Sequence, residues 1–243
     1  MGSQLDLRAV AIVKSFQRMA QLPRLYPILD AGCFPDSKAL LAAAEELIAA
    51  GCKLLQYRNK SGNARIMLEQ ARELRGLLRL QSENPHFSQK RGEVGHPTDT
   101  RSVRLIMNDR ADLCLAAEFD GVHVGQDDLS PESVRSIIGP NRWLGVSTHN
   151  PEQLRDADLT SADYLAIGPV FATSSKENPD PVVGLEGLRR ARQITRKPLV
   201  AIGGITRANA ASVIDAGADS VAVISDLSQE PRKSAEEFFR VLG

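Results

Sequence analysis

Short apolar runs recur along this chain, and each ends abruptly in polar residues or glycine. Leu105–Met107 is closed by Asn108 and Asp109, and Val122–Val124 by Gly125, Gln126, Asp127 and Asp128. Runs of that length with such punctuation read as buried strands of a parallel sheet. Between them, Arg110–Glu118 fits a short helix. The same alternation predicts strands starting near 25, 53, 104, 121, 143, 164, 199 and 220. Helices are predicted over Ser37–Ala50, with Asp36 or Ser37 as N-cap and Gly51 just past the end, and from Asn63 to about Leu80. Ser130-Pro131-Glu132 starts another that Gly139 ends, and Asn150-Pro151-Glu152-Gln153 opens the next with a capping-box pattern. Leu185–Thr195, Thr206–Ala216 and Pro231–Leu242 complete the series.

Three strand entries echo one another, at Asp120-Gly121-Val122, Asp163-Tyr164-Leu165 and Asp219-Ser220-Val221. Each follows a helix end and places an Asp just before a buried strand. Repeated modules of this kind, eight strands alternating with helices, predict a single-domain α/β fold, the (β/α)₈ TIM barrel. An open doubly wound sheet is the runner-up, but no G-x-G-x-x-G follows the first strand.

Two segments stand outside the alternation. Residues 5–21, within an N-terminal extension over 1–22, carry Leu7, Val10, Val13, Phe16 and Met19 among Arg, Lys and Gln. That pattern predicts an amphipathic helix that either closes the bottom of the barrel or meets another subunit. Residues 81–102 hold only Phe87 and Val94 as large apolar side chains. They read as a flexible surface insertion, because the strand–helix alternation resumes directly afterwards.

A chain of 243 residues is long enough for one barrel. Lys plus Arg and Asp plus Glu both total 30, so there is no general pull toward nucleic acid or membrane and any anion site must be local. Cys33, Cys52 and Cys114 match neither a metal spacing nor a disulfide framework, which suits a reducing cytoplasm. No apolar run approaches the ~18 residues that span a bilayer. A cytoplasmic protein is expected.

The unusual polar clusters all fall just after strands, where barrels keep their sites. Asp109 and Asp128 belong side by side at one rim, able either to hold a hard cation such as Mg²⁺ or to cap the following helices. Both uses stay open at this point. Gln56, Arg58 and Lys60 alternate and so project to one side, offering a fork and a point charge for phosphate oxygens. The fifth strand ends in Ser147-Thr148-His149; Ser147 can donate to an anion, while His149 beside an N-cap and His123 inside a strand read as structural. The loop from Gly168 to Lys176 adds Thr173, Ser175 and a cation. Gly203-Gly204 and Ile224-Ser225 follow the seventh and eighth strands, the recurrent phosphate-binding edge of barrels. Together these clusters suit a diphosphate and a separate phosphate.

In combination the motifs resemble those of the thiamine-phosphate synthase family from Leu25 to about Ser225. They are Q-x-R-x-K at Gln56–Lys60, N-D at Asn108-Asp109, G-V-H-V-G-Q-x-D ending at Asp128 and G-V-S-x-H at Gly145–His149. G-P-V-F-x-T-x-x-K at Gly168–Lys176, I-G-G-I at Ile202–Ile205 and V-I-S at Val223–Ser225 complete the set. The resemblance implies a transferase of thiamine biosynthesis. It would join 4-amino-2-methyl-5-(diphosphooxymethyl)pyrimidine to 4-methyl-5-(2-phosphoethyl)thiazole, or its carboxylated form, releasing diphosphate. Gln56, Arg58, Lys60, Asn108, Ser147 and Lys176 would bind the pyrimidine diphosphate, with Arg58, Lys60, Ser147 and Lys176 serving catalysis. Asp109 and Asp128 would hold Mg²⁺, and Thr173, Ser175, Gly204, Ile224 and Ser225 the thiazole phosphate. Tyr57 stands where the family usually has an aliphatic residue, and Ser175 where it usually has Thr. The rivals are a thiazole tautomerase of the same superfamily, served by His149 or His123, a non-catalytic phosphate-binding barrel and, on fold analogy alone, a sugar-phosphate isomerase or epimerase. Partners are expected to be small molecules, with a homo-oligomer possible on sequence grounds.

Overall fold

A computed structural model describes residues 22–83, 103–173 and 180–243. Strands β1 (Leu25–Asp30), β2 (Leu54–Arg58), β3 (Arg104–Asn108), β4 (Gly121–Val124), β5 (Trp143–Thr148), β6 (Tyr164–Ile167), β7 (Leu199–Ile202) and β8 (Ser220–Val223) close into one parallel barrel in sequence order. Helices α1 (Ser37–Ala49), α2 (Ala64–Glu83), α3 (Ala111–Ala116), α4 (Pro131–Ile138), α5 (Pro151–Asp158), α6 (Gly184–Ile194), α7 (Ala210–Asp215) and α8 (Pro231–Leu242) each follow a strand. The expected TIM barrel is the fold found.

The strands are buried on both faces, which is why they read as apolar runs rather than as alternating ones. Their outward side chains pack against the helices, as Leu29, Leu55, Leu105, Val122, Leu165 and Val221 do. Their inward side chains, among them Ile28, Leu54, Ile106, Val200 and Ala222, fill the barrel with Tyr26, Trp143 and Tyr164. Arg104 stacks its guanidinium 4.4 Å from the Trp143 ring centre.

The echoing aspartates have one physical cause. Asp120, Asp163 and Asp219 precede β4, β6 and β8, and each accepts at 2.8 Å from a backbone N–H of the preceding strand, Leu105, Leu144 or Leu199. Each aspartate N–H returns a bond to the same residue's carbonyl. Arg75 on α2, Arg135 on α4 and Arg192 on α6 complete the three clamps at 2.8, 2.7 and 2.8 Å. Bonds to charged groups of this kind contribute roughly 1.5–3 kcal/mol each. They secure the N-terminal ends of alternate strands and leave the C-terminal ends available for chemistry.

Two helix boundaries differ from expectation by more than a residue or two. Helix α2 continues past Leu80 to Glu83. Helix α7 begins at Ala210, not Thr206, because Asn209 turns its side chain back to accept from Thr206 N–H at 2.8 Å and holds the preceding residues in a turn. The predicted N-terminal helix lies outside the described residues, as do residues 84–102; the insertion expected over 81–102 is shorter, because 81–83 belong to α2. Glu83 and Val103 flank the insertion at the N-terminal end of the barrel, away from the strand ends that carry the polar clusters. Replacing 84–102 with a short Gly/Ser linker is therefore expected to leave turnover nearly unchanged; a large loss of turnover in a folded variant would contradict this.

Candidate active site

A cavity of about 460 Å³ opens at the C-terminal ends of the strands, a size suited to a small organic ligand. Gln56, Arg58, Lys60, Asn108, Asp109, Asp128, Ser147, Thr173, Gly204, Ile224 and Ser225 all line it. The two remaining residues proposed from the sequence, Ser175 and Lys176, lie outside the described residues.

Strand alternation on β2 brings Gln56 and Arg58 into the cavity and turns Tyr57 outward. The Tyr57 hydroxyl donates to Gln70 Oε1 at 2.5 Å, and Asn59 donates to the same oxygen at 2.9 Å. Tyr57, the departure from the family pattern, is thus engaged by α2 and does not face the site. Arg58 is held by the buried carboxylate of Asp30, a residue that sequence reasoning missed. Its signal is only visible in register, since Asp30 pairs with Arg58 across β1 and β2.

Asp109 directly follows β3, with a φ of 63°, and receives Lys60 Nζ at 2.5 Å. Its carboxyl sits above the ordinary carboxylate range, chiefly because burial disfavours its charge; Lys60 opposes that shift and the nearby Asp128 adds to it. Neither carboxylate caps a helix. The N-cap of α3 is Arg110, with no side-chain capping bond, and that of α4 is Ser130, which accepts from Ser133 N–H. Asp128 Oδ2 instead accepts from Gly125 N–H at 2.7 Å within its own turn.

Beside this pair, the Asn108 amide nitrogen is buried with no partner among the described residues, a sign of an acceptor to be supplied by a ligand. Among the described residues no group of three or more His, Cys, Asp and Glu is placed to hold a metal. Two hard carboxylates on adjacent strand ends nevertheless match the way Mg²⁺ is held, by one or two carboxylates with substrate phosphates and water completing the shell.

On the opposite side, the β7 end approaches the β6 loop. A Cβ on Gly204, at φ +64°, would lie 2.5 Å from the Ala172 carbonyl, so only glycine permits the approach. His149 Nδ1 is 2.7 Å from the Gly168 carbonyl and thereby braces that loop. Asn150 caps α5 as expected, while Gln153 reaches back to His149 N–H.

His123 is buried between Tyr164 and Ser147, and both its ring nitrogens are engaged. Burial pushes its pKa down to about 4 against the charge of Asp128, which opposes the shift. An unfolded chain takes up this proton below about 6.5, whereas the folded one does not until about 4, so stability falls as pH drops through that window. The expected contribution approaches about 3 kcal/mol at the acid end. Melting curves of wild type and His123→Gln near pH 7 and pH 4 test this. The variant should lose that part of the acid sensitivity; identical acid sensitivity in both proteins would contradict it.

A family model described as thiamine monophosphate synthase matches residues 81–227. Over 225 residues the chain is 57% identical to the thiamine-phosphate synthase of Koribacter versatilis, covering 91% of this chain and 97% of that one. It is 44% identical over 202 residues to that of Chloroflexus aurantiacus, covering 83% of each. Among solved structures, thiamine phosphate pyrophosphorylase from Pyrococcus furiosus superposes with a TM-score of 0.73 at 32% identity, covering 90% of this chain and 95% of the other.

Proposed function

The chain belongs to the thiamine monophosphate synthase family, whose members form thiamine phosphate, and from that premise we propose which substrates it joins and how. It condenses the aminopyrimidine diphosphate with the thiazole phosphate and releases diphosphate. The observation that carries this reading is the convergence of Arg58, Lys60, Asn108, Asp109, Asp128 and Ser147 on one cavity. A phosphate monoester held by backbone amides would not need two carboxylates and two cations at the other side of the rim.

Asp109 and Asp128 would hold Mg²⁺, which when bound supplies Lewis-acid stabilisation to the leaving diphosphate. Arg58, oriented by Asp30, and Lys60 neutralise the negative charge that grows on that group as its bond to carbon breaks. From the sequence, Lys176 joins them. Gln56 and Asn108 orient the aminopyrimidine and Ser147 donates to its diphosphate; the ring carries a benzylic-type cation once the bond is broken. Thr173, Ser175 and the backbone at Gly204, Ile224 and Ser225 anchor the thiazole phosphate so that the ring nitrogen captures that cation. The protein forms no covalent bond of its own; positioning supplies several kcal/mol of the barrier, an order of magnitude known for well-oriented reactants. The charges local to this cavity fit small-molecule partners, and no described helix is long and apolar enough to cross a membrane.

The test is to incubate purified protein with Mg²⁺ and both halves and to look for thiamine phosphate by mass. Its appearance is expected. A protein that binds both halves without joining them would overturn the reading.

A further inference from the structure

Five polar side chains from five strands form one continuous line of hydrogen bonds through the barrel. Gln56 Nε2 on β2 donates to Tyr26 Oη on β1 at 2.9 Å. Tyr26 Oη lies 2.9 Å from Tyr164 Oη on β6, which lies 3.1 Å from His123 Nδ1 on β4. His123 Nε2 in turn lies 2.8 Å from Ser147 Oγ on β5. Both end members, Gln56 and Ser147, line the cavity.

The line exists because β5 carries a glycine at its centre. Gly145 pairs in register with His123 on one side and Tyr164 on the other. A Cβ there would lie 2.1 Å from Tyr164 Cζ and 2.3 Å from His123 Nδ1. Any larger residue at 145 would separate the two rings.

Each member has few protons to give, so one direction propagates along the line. A tyrosine hydroxyl has one proton, and a neutral imidazole donates from one nitrogen and accepts at the other. Gln56 gives an N–H to Tyr26; the Tyr26 proton then goes to Tyr164, and the Tyr164 proton to His123 Nδ1. An imidazole that accepts at Nδ1 carries its proton on Nε2 and donates it to Ser147. The imidazole is buried, and its two ring nitrogens face the Tyr164 and Ser147 hydroxyls, with no carboxylate against either, which favours the neutral form. The Ser147 proton is left for the cavity. In the opposite direction the serine would turn its proton inward and present only lone pairs to an anionic ligand that itself has only acceptors there.

We propose that this line runs one way, from Gln56 to Ser147, and makes His123 a positioning residue that holds Ser147 as a hydrogen-bond donor toward an oxygen of the bound pyrimidine diphosphate. The identity of that acceptor rests on the synthase reading; the direction of the line does not.

Nitrogen-15 NMR of the histidine-labelled full-length protein near neutral pH tests the direction, with the His123 signals assigned by their loss in His123→Gln. A protonated Nε2 with an accepting Nδ1 is expected, and a protonated Nδ1 would overturn the proposal. Kinetics with Mg²⁺ and both halves test the consequence. The amide of His123→Gln can still donate to Ser147, so its kcat should stay within a few-fold of wild type. His123→Leu cannot donate, and its kcat should fall by about tenfold, the scale of one such bond, with KM for the thiazole phosphate unchanged. Equal kcat in the two variants, each verified as folded by its melting curve, would overturn the positioning role. A wild-type protein with Nε2 protonated but no coupling activity would sink the synthase reading and leave the direction of the line standing.

Discussion

Asp128→Asn is expected to lower thiamine phosphate formation by about a hundredfold or more while leaving the fold intact, since several kcal/mol of charge stabilisation would be lost. Asparagine keeps a side-chain oxygen to accept from Gly125 N–H, the 2.7 Å bond that shapes the turn. The following helix is capped by Ser130 and does not depend on residue 128. What the substitution removes is one of two adjacent negative charges, and with it half of the carboxylate pair available to a divalent cation. Rates titrated with Mg²⁺ and a melting curve on the same preparation separate chemistry from folding. Wild-type turnover in the variant, or a collapse of its melting temperature, would remove the proposed metal role.

Lys60→Ala is expected to weaken the pyrimidine diphosphate and slow coupling by a comparable factor, about a hundredfold. The lysine stands at the mouth of the cavity with its ammonium on Asp109, beside the place proposed for the diphosphate. Titration with the thiazole phosphate alone should change little, because the groups proposed for that anchor follow β6, β7 and β8 in the chain. Lys176→Ala is expected to show the same selectivity, on sequence grounds. Coupling that stays at the wild-type rate in both variants would reduce the two lysines to surface charges.

Much of this candidate site is legible in the sequence. Alternation on β2 was enough to group Gln56, Arg58 and Lys60, because a strand's period of two is fixed by its geometry. The barrel itself followed from apolar runs closed by Asn, Gly and Asp. The echo at Asp120, Asp163 and Asp219 was visible as a pattern, but its meaning, a clamp on the preceding strand completed by an arginine, depends on residues up to 45 positions apart. The two roles open to Asp109 and Asp128 could not be separated by spacing, since a cap and a ligand use the same residue type at the same place. Backbone geometry removes the cap role, since Arg110 and Ser130 occupy the cap positions. Tyr26 and Tyr164 carried no local signal, because a tyrosine in an apolar strand looks like core until the partner of its hydroxyl is known. Their contact spans 138 positions and arises only when the barrel closes.

Asp109 and Asp128 would seat a divalent cation against a diphosphate held by Arg58 and Lys60. Crystals of the protein grown with Mn²⁺ in place of Mg²⁺ and with inorganic diphosphate test it through the anomalous signal of the metal. A metal peak beside Asp109 and Asp128 is expected, with diphosphate bound next to it and in contact with Arg58 and Lys60. Diphosphate bound in the cavity with no metal between Asp109 and Asp128 would contradict it.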